Sequence, residues 1–112
     1  MSQRLEQLQQ FLREAPGDPF IKYAIATEHL KLGALQTAME GFEKLVTEHP
    51  DYLGTYYHLG KLLEQLSLTE RAKQAYQQGM LVAQQAKNTH AYGELKGALQ
   101  WIQNTEEEEE ED

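Results

Sequence analysis

The sequence repeats itself with a period of 34 residues, and this repetition constrains the fold more than any other feature. When the chain is shifted against itself by 34 positions, small residues fall on small residues and large rings fall on large rings. A period of this length is typical of helix–turn–helix units that stack, because one such unit cannot bury its apolar face alone. The matched pairs are Pro16 and Pro50, Ile25-Ala26 and Leu59-Gly60, Ala38 and Ala72, and Phe42 and Tyr76.

The residues between these landmarks favour helices. Leu, Gln, Glu, Ala and Lys dominate, β-branched residues are few, and only three prolines interrupt the chain. Asp18 and Asp51 are predicted to cap the second and fourth helices, and Ser67 with Glu70 fits a capping box for the fifth. We therefore predict an all-α fold of six helices, at about 2–14, 19–32, 35–48, 51–66, 69–86 and 89–103.

Both units carry the same order of small and large residues, and in this the chain resembles the tetratricopeptide repeat family. The second unit shows Tyr56, Leu59, Gly60, Ala72 and Tyr76, and the first shows Ile25, Ala26, Gly33, Ala38, Phe42 and Pro50. The resemblance implies an α-solenoid with two full repeats, at about 19–52 and 53–86. It implies half-repeats at 1–18 and 87–104, which supply an N-terminal helix and a C-terminal capping helix, so that one helical domain spans 1–104.

The negative charge is concentrated at the C-terminus. The chain carries a formal charge of −8, and its last seven residues, 106–112, are all acidic, so residues 1–105 are almost neutral. Such a run buries no apolar surface, and we predict a disordered acidic tail at 105–112. The tail either keeps the protein soluble or acts as a polyanion that contacts a basic partner or the lysine-bearing groove of the protein itself. Without a basic excess, the body is not expected to bind nucleic acid.

The sequence offers no recognisable catalytic pattern, metal site or cofactor site. It has no cysteine, no glycine-rich phosphate loop, and no pair of histidines at metal-binding spacing among its four. We expect a protein that is not an enzyme and uses no cofactor. No apolar run approaches the roughly 20 residues that span a bilayer, and the N-terminus lacks a secretory pattern, so we expect a cytoplasmic protein with no membrane partner.

The resemblance also implies where a partner binds. In this family the first helix of each pair lines a concave groove, and a partner peptide or helix lies across it. We therefore predict a non-catalytic protein–protein interaction module. The structural alternative for the two groove tyrosines is a place partly in the core. The predicted groove residues are Phe20, Tyr23, Ala24, Thr27 and Lys31, then Tyr57, His58, Lys61 and Gln65, then His90 and Glu94, with Trp101 as a further candidate from the sixth helix.

Two further hypotheses remain open at this point. The first is a different function, in which the acidic tail shields a basic protein partner or mimics nucleic acid. The second is self-association through the C-terminal helix, for which Trp101 and Ile102 are the candidate contacts.

Overall fold

The computed structural model describes residues 2–111, with side chains for residues 2–109, and within this range the chain forms helices and no strand. The prediction of an all-α fold is confirmed. The chain divides into two compact units, one ending at Thr55 and the other beginning at Tyr56. The helices are α1 (Gln3–Glu14), α2 (Pro19–Lys31), α3 (Leu35–Glu48), α4 (Gly54–Gln65), α5 (Thr69–Gln85) and α6 (Thr89–Glu111).

The first two helices begin at side-chain caps. The Ser2 hydroxyl accepts a hydrogen bond from the backbone N–H of Leu5 at 3.1 Å, and the Asp18 carboxylate accepts one from Phe20 at 2.9 Å. Pro19 occupies the first turn of α2, where its missing N–H costs nothing. The predicted cap at Asp18 is therefore confirmed.

The predicted start of α4 at Asp51 is wrong, since the helix begins at Gly54. The preceding residues form a turn, in which the N–H of Tyr52 donates to the carbonyl of His49 at 3.0 Å. This turn places the Tyr52 ring 5.5 Å from the ring of Tyr23 in α2. Packing of that ring decides the local backbone, and the cap signal from Asp51 is overridden.

Within residues 2–111, a residue with a left-handed backbone stands two positions after the end of α2, α4 and α5: Gly33 (φ 80°), Ser67 (φ 63°) and Lys87 (φ 57°). After α4, the N–H of Ser67 donates to the carbonyl of Glu64, and the next N–H, of Leu68, donates to the carbonyl of Leu63. This pair of bonds is the Schellman arrangement that closes a helix. Ser67 therefore ends α4, and the prediction that it caps α5 is wrong.

Because left-handed backbone strains a residue with a side chain, we expect Ser67→Gly to raise the free energy of unfolding. The gain should be about 0.5–1 kcal/mol, the strain relieved less the extra flexibility of glycine in the unfolded chain. Gly33→Ser is the reverse exchange at the equivalent turn and should cost a similar amount. Chemical denaturation followed by circular dichroism measures both, and a loss of stability in Ser67→Gly would contradict this role.

Small residues allow the helices of each unit to approach. In the unit ending at Thr55, a Cβ on Gly41 of α3 would lie 3.2 Å from Cβ of Ala26 in α2. Ala26, Ala38 and Phe42 are all buried there. These are the positions at which the 34-residue repeat predicts small and large residues.

The other unit shows the same use of small residues. A Cβ on Gly60 would lie 2.6 Å from Cζ of the fully buried Tyr76 ring of α5, which occupies the space that a side chain would need. One helix later, a Cβ on Gly79 would lie 2.6 Å from Cβ of Tyr56 and 3.0 Å from the side chain of Leu95. Glycine at 60 and 79 therefore brings α4, α5 and α6 together.

Helix α6 continues through the acidic run to Glu111, where the sequence predicted a helix end near residue 103 and a disordered tail at 105–112. Asp112 lies outside the described residues. Two physical causes favour the longer helix. Elongating a helix that is already packed avoids the cost of nucleation, and glutamate is a good helix former. In addition, Lys73 of α5 forms ion pairs with Glu106 and with Glu70, and these carboxylates raise the pKa of Lys73.

No helix in residues 2–111 combines the length and the apolar character needed to cross a bilayer.

Candidate partner-binding surfaces

The predicted binding residues of α2 lie on one stripe of that helix, and they differ in exposure. Tyr23 is half-buried, with ring centroids 6.2 Å from Phe42 and 5.5 Å from Tyr52. Burial raises the pKa of the Tyr23 hydroxyl, and a hydrogen bond with the Thr27 side chain opposes that rise. The Tyr23 side chain is therefore neutral and held by its neighbours. It lies partly in the core, as the structural alternative for this residue predicted.

Phe20 is the most accessible aromatic of this stripe, with 58% of its surface exposed. Lys31 is exposed at the last turn of α2, while Ala24 and Thr27 are half-buried. The Thr27 hydroxyl donates to the backbone carbonyl of Tyr23 at 2.9 Å, so it serves the helix itself. What α2 offers to solvent is an aromatic ring at one end and an ammonium group at the other.

In the second unit, Tyr57 and Lys61 of α4 form a cation–π pair, with the ammonium nitrogen 5.6 Å from the ring centroid. The neighbouring His58 ring stands edge-on to Tyr57 at a centroid distance of 6.1 Å. Burial lowers the pKa of His58, so its ring is neutral at pH 7. Gln65 is exposed at the last residue of α4. Of the predicted residues of α4, Tyr57 therefore contacts both Lys61 and His58.

A buried partner of this cluster was missed by the sequence analysis. The Tyr76 hydroxyl of α5 donates a short hydrogen bond to the carboxylate of Glu64, which also lies 3.8 Å from the ammonium group of Lys61. Burial and the Glu64 carboxylate raise the pKa of Tyr76 far above its ordinary value. In the sequence, the one signal for this ion pair is the spacing of Lys61 and Glu64, which lie three residues apart on a predicted helix.

On α6, the predicted residues His90 and Glu94 are both exposed and lie 3.2 Å apart, as an ion pair when the imidazole is protonated. The two candidates for self-association are placed differently. Trp101 is 66% exposed, whereas Ile102 is 5% exposed and belongs to the core of its unit. Ile102 is therefore wrong as a surface contact, because the helix turns its side chain by about 100° from that of Trp101.

A cleft in the first unit also escaped the sequence analysis. It has a volume of about 250 Å³, and its lining includes the charged residues Lys22, Lys44 and Glu48. Lys22 lies 3.5 Å from the Glu48 carboxylate and 3.4 Å from a ring nitrogen of His49, so its charge is already engaged. The other lining residues are Leu12, Ile25, Ala26, His29, Thr37, Gly41 and Leu45.

Taken together, these side chains suit the binding of a polypeptide. Exposed or half-exposed rings offer apolar contact, lysines and a neutral histidine offer hydrogen bonds, and the rings are held in place by packing. Within residues 2–109, whose side chains the structure describes, no three His, Cys, Asp or Glu side chains converge as metal ligands.

Solved structures resemble this chain along most of its length. A crystal structure of a tetratricopeptide repeat domain protein from Salinibacter ruber is 45% identical over 78% of this chain and 97% of that chain, with a TM-score of 0.74. A solution structure of such a protein from the same organism is also 45% identical, covering 80% and 90% of the two chains with a TM-score of 0.77. A solution structure of protein BPP2914 from Bordetella parapertussis, at 19% identity, covers 94% and 91% with a TM-score of 0.79 and shows likeness of fold alone.

No family model matches the sequence, and neither does any curated protein. The family assignment depends instead on the 45% identity to a relative that the chain covers almost completely, and on the small and large residues found buried at the repeat positions. The chain belongs to the tetratricopeptide repeat family, and its fold is a helical repeat of the α-solenoid class.

Proposed function

We propose that this protein is a non-catalytic interaction module that binds a peptide or helical segment of a protein partner. The surfaces we assign to binding are the exposed faces of α2 and α4, each within its own unit. Membership of a family whose members generally act as scaffolds supports this function. The observation that carries it is that ordered aromatic side chains reach the surface on both helices.

Binding costs less when the contact residues are already immobile. Tyr23 is held between Phe42 and Tyr52, and Tyr57 lies 6.4 Å from the buried Tyr76 ring. A partner that covers these rings gains apolar burial without first ordering them. We therefore expect little rearrangement of the helices on binding.

The test uses one exposed residue on each face with a matched substitution elsewhere. We expect Phe20→Ala to weaken partner binding by about tenfold, because a central aromatic contact is lost. Lys61→Ala should weaken it by about threefold, because a partly exposed charged contact contributes less than an aromatic one. Leu81→Ala in α5 and Lys96→Ala in α6 are the controls, since Leu81 is 60% exposed, Lys96 is exposed, and both belong to helices other than α2 and α4.

The measurement has two stages. Proteins captured from the source cell lysate by the wild type and by both controls, but not by the two face variants, are identified, and the affinity of one is then measured by calorimetry. All four variants should keep the wild-type helical content. A partner that binds both face variants with wild-type affinity would contradict the assignment, and a partner lost in a control variant would move the surface to α5 or α6.

A further inference from the structure

Helix α6 presents an exposed strip with a tryptophan at its centre and carboxylates at both ends. Trp101, the single tryptophan of the chain, is 66% exposed. At 100° per residue, Gly97 and Thr105 lie one turn to either side of it, and Glu94 and Glu108 lie two turns away on the same face. We name these five residues the α6 strip. A Cβ on Gly97 would meet no atom within 4 Å, so the indole stands beside open space.

A cleft of about 160 Å³ adjoins the strip within the second unit. Trp101 and Thr105 line it together with the carboxylates of Glu64, Glu106 and Glu109. Glu64 is engaged by Tyr76 and Lys61, and Glu106 by Lys73. Glu109 adds an exposed acidic side chain, so the lining of the cleft combines the tryptophan with negative charge.

The chemistry of this wall favours a cation. An exposed indole attracts a positively charged group over its face, and arginine is the common partner because its planar guanidinium stacks on the ring. The same guanidinium donates fork-shaped hydrogen bonds to carboxylates. The acidic helix that follows, through Glu111, adds a negative field that favours approach of a basic segment.

We propose that the α6 strip and its adjoining cleft bind an arginine side chain of a basic protein segment. The inference rests on the proposed function in one respect, that the ligand is a polypeptide. Its surface is centred on Trp101 of α6, and Glu64 is the one residue of α4 that lines the cleft. A cleft of this size admits one side chain. A second copy of the chain, with its charge of −8, and a nucleic acid are both disfavoured here by like-charge repulsion.

The first experiment uses the full chain and a short peptide with both ends blocked, in which three arginines alternate with glycine and serine. Because Trp101 is the only tryptophan, its fluorescence reports directly on binding. We expect a saturable change in emission with the arginine peptide. The lysine version should bind about threefold more weakly, and the version with citrulline, a neutral isostere of arginine, should not bind at the same concentrations.

The second experiment measures the affinity of fluorescently labelled arginine peptide for three variants by anisotropy, at low salt. Trp101→Ala should weaken binding by about 3–10-fold, and Glu109→Gln by about 2–5-fold. Glu107→Gln is the matched control, because it removes the same charge from the same run of α6 but lies about 120° away from Trp101 around the helix. It should change the affinity by less than about 1.5-fold.

Several results would overturn the proposal. One is absence of binding of the arginine peptide to the wild type. Another is an equal effect of Glu107→Gln and Glu109→Gln, which would show diffuse attraction to an acidic helix. A third is a dimer, detected by sedimentation, that Trp101→Ala dissociates, since a second copy would then occupy the strip. Phe20→Ala should bind the peptide as the wild type does, so failure of the α2 and α4 assignment would leave this result unaffected.

Discussion

Replacing Gly60 by alanine is expected to lower the free energy of unfolding by about 1–3 kcal/mol or more. The added methyl carbon would lie 2.6 Å from Cζ and 2.7 Å from Cδ1 of the Tyr76 ring, well inside contact distance. The ring cannot move aside easily, because it is fully buried and its hydroxyl is bound to Glu64. Overpacking therefore outweighs the gain of about 1 kcal/mol that alanine brings to a helix interior.

Gly93→Ala is the matched control for this substitution. Gly93 also lies inside a helix, but a Cβ there would meet nothing within 4 Å, so only the helix propensity changes. We expect it to raise the free energy of unfolding by up to about 1 kcal/mol. Urea denaturation of the two variants should thus give shifts of opposite sign. If both variants are stabilised, α4 and α5 do not pack at Gly60 as described.

The period of 34 residues was sufficient to predict the fold because it marks the positions where helices touch. Ala26, Ala38 and Phe42, and their counterparts Gly60, Ala72 and Tyr76, are buried as the repeat requires. The period says nothing of contacts that belong to one repeat alone. Gly79, which admits Tyr56 and Leu95, was not recognised in the sequence because no residue at that spacing repeats its role.

Local signals failed where tertiary packing or backbone geometry competed with them. Aspartate is a residue type that favours helix caps, but the residues after Asp51 form a turn in which the Tyr52 ring packs against Tyr23, and the helix begins later. Ser67 resembles the start of a capping box, yet its left-handed backbone closes the preceding helix. In neither case does the sequence around the residue reveal the competing interaction.

The candidate surfaces were predicted in part. Helical spacing placed Tyr57 and Lys61 on one stripe, and the structure brings them into a cation–π contact. Spacing does not reveal how exposed a side chain is. Phe20 and Trp101 are accessible to a partner, whereas Thr27 is half-buried. The acidic run was predicted to be disordered from its composition, and the ion pair between Lys73 and Glu106 could not be inferred from the sequence.

Alkaline pH should destabilise the protein through Tyr76. Burial and the hydrogen bond to Glu64 raise the pKa of its hydroxyl far above the ordinary value of 10.0. Above pH 10 the unfolded chain therefore loses a proton that the folded chain keeps. The unfolded state then binds fewer protons, so the free energy of unfolding falls by about 1.4 kcal/mol for each further pH unit.

The variant Tyr76→Phe lacks the hydroxyl whose proton causes this loss of stability. Because the wild type and the variant share all other tyrosines, the difference between their stability curves is the contribution of Tyr76 alone. At pH 7 the variant should be about 1 kcal/mol less stable, because the hydrogen bond to Glu64 is lost. Between pH 10 and 11.5 the free energy of unfolding of the wild type should fall by about 2 kcal/mol more than that of the variant. The two stability curves should therefore cross at about pH 11. Urea denaturation at a series of pH values measures both curves. Glu64→Gln should give an intermediate slope, since it removes the carboxylate but leaves the tyrosine buried. Parallel curves for the wild type and Tyr76→Phe would show that the hydroxyl is not held in its neutral form by burial beside Glu64.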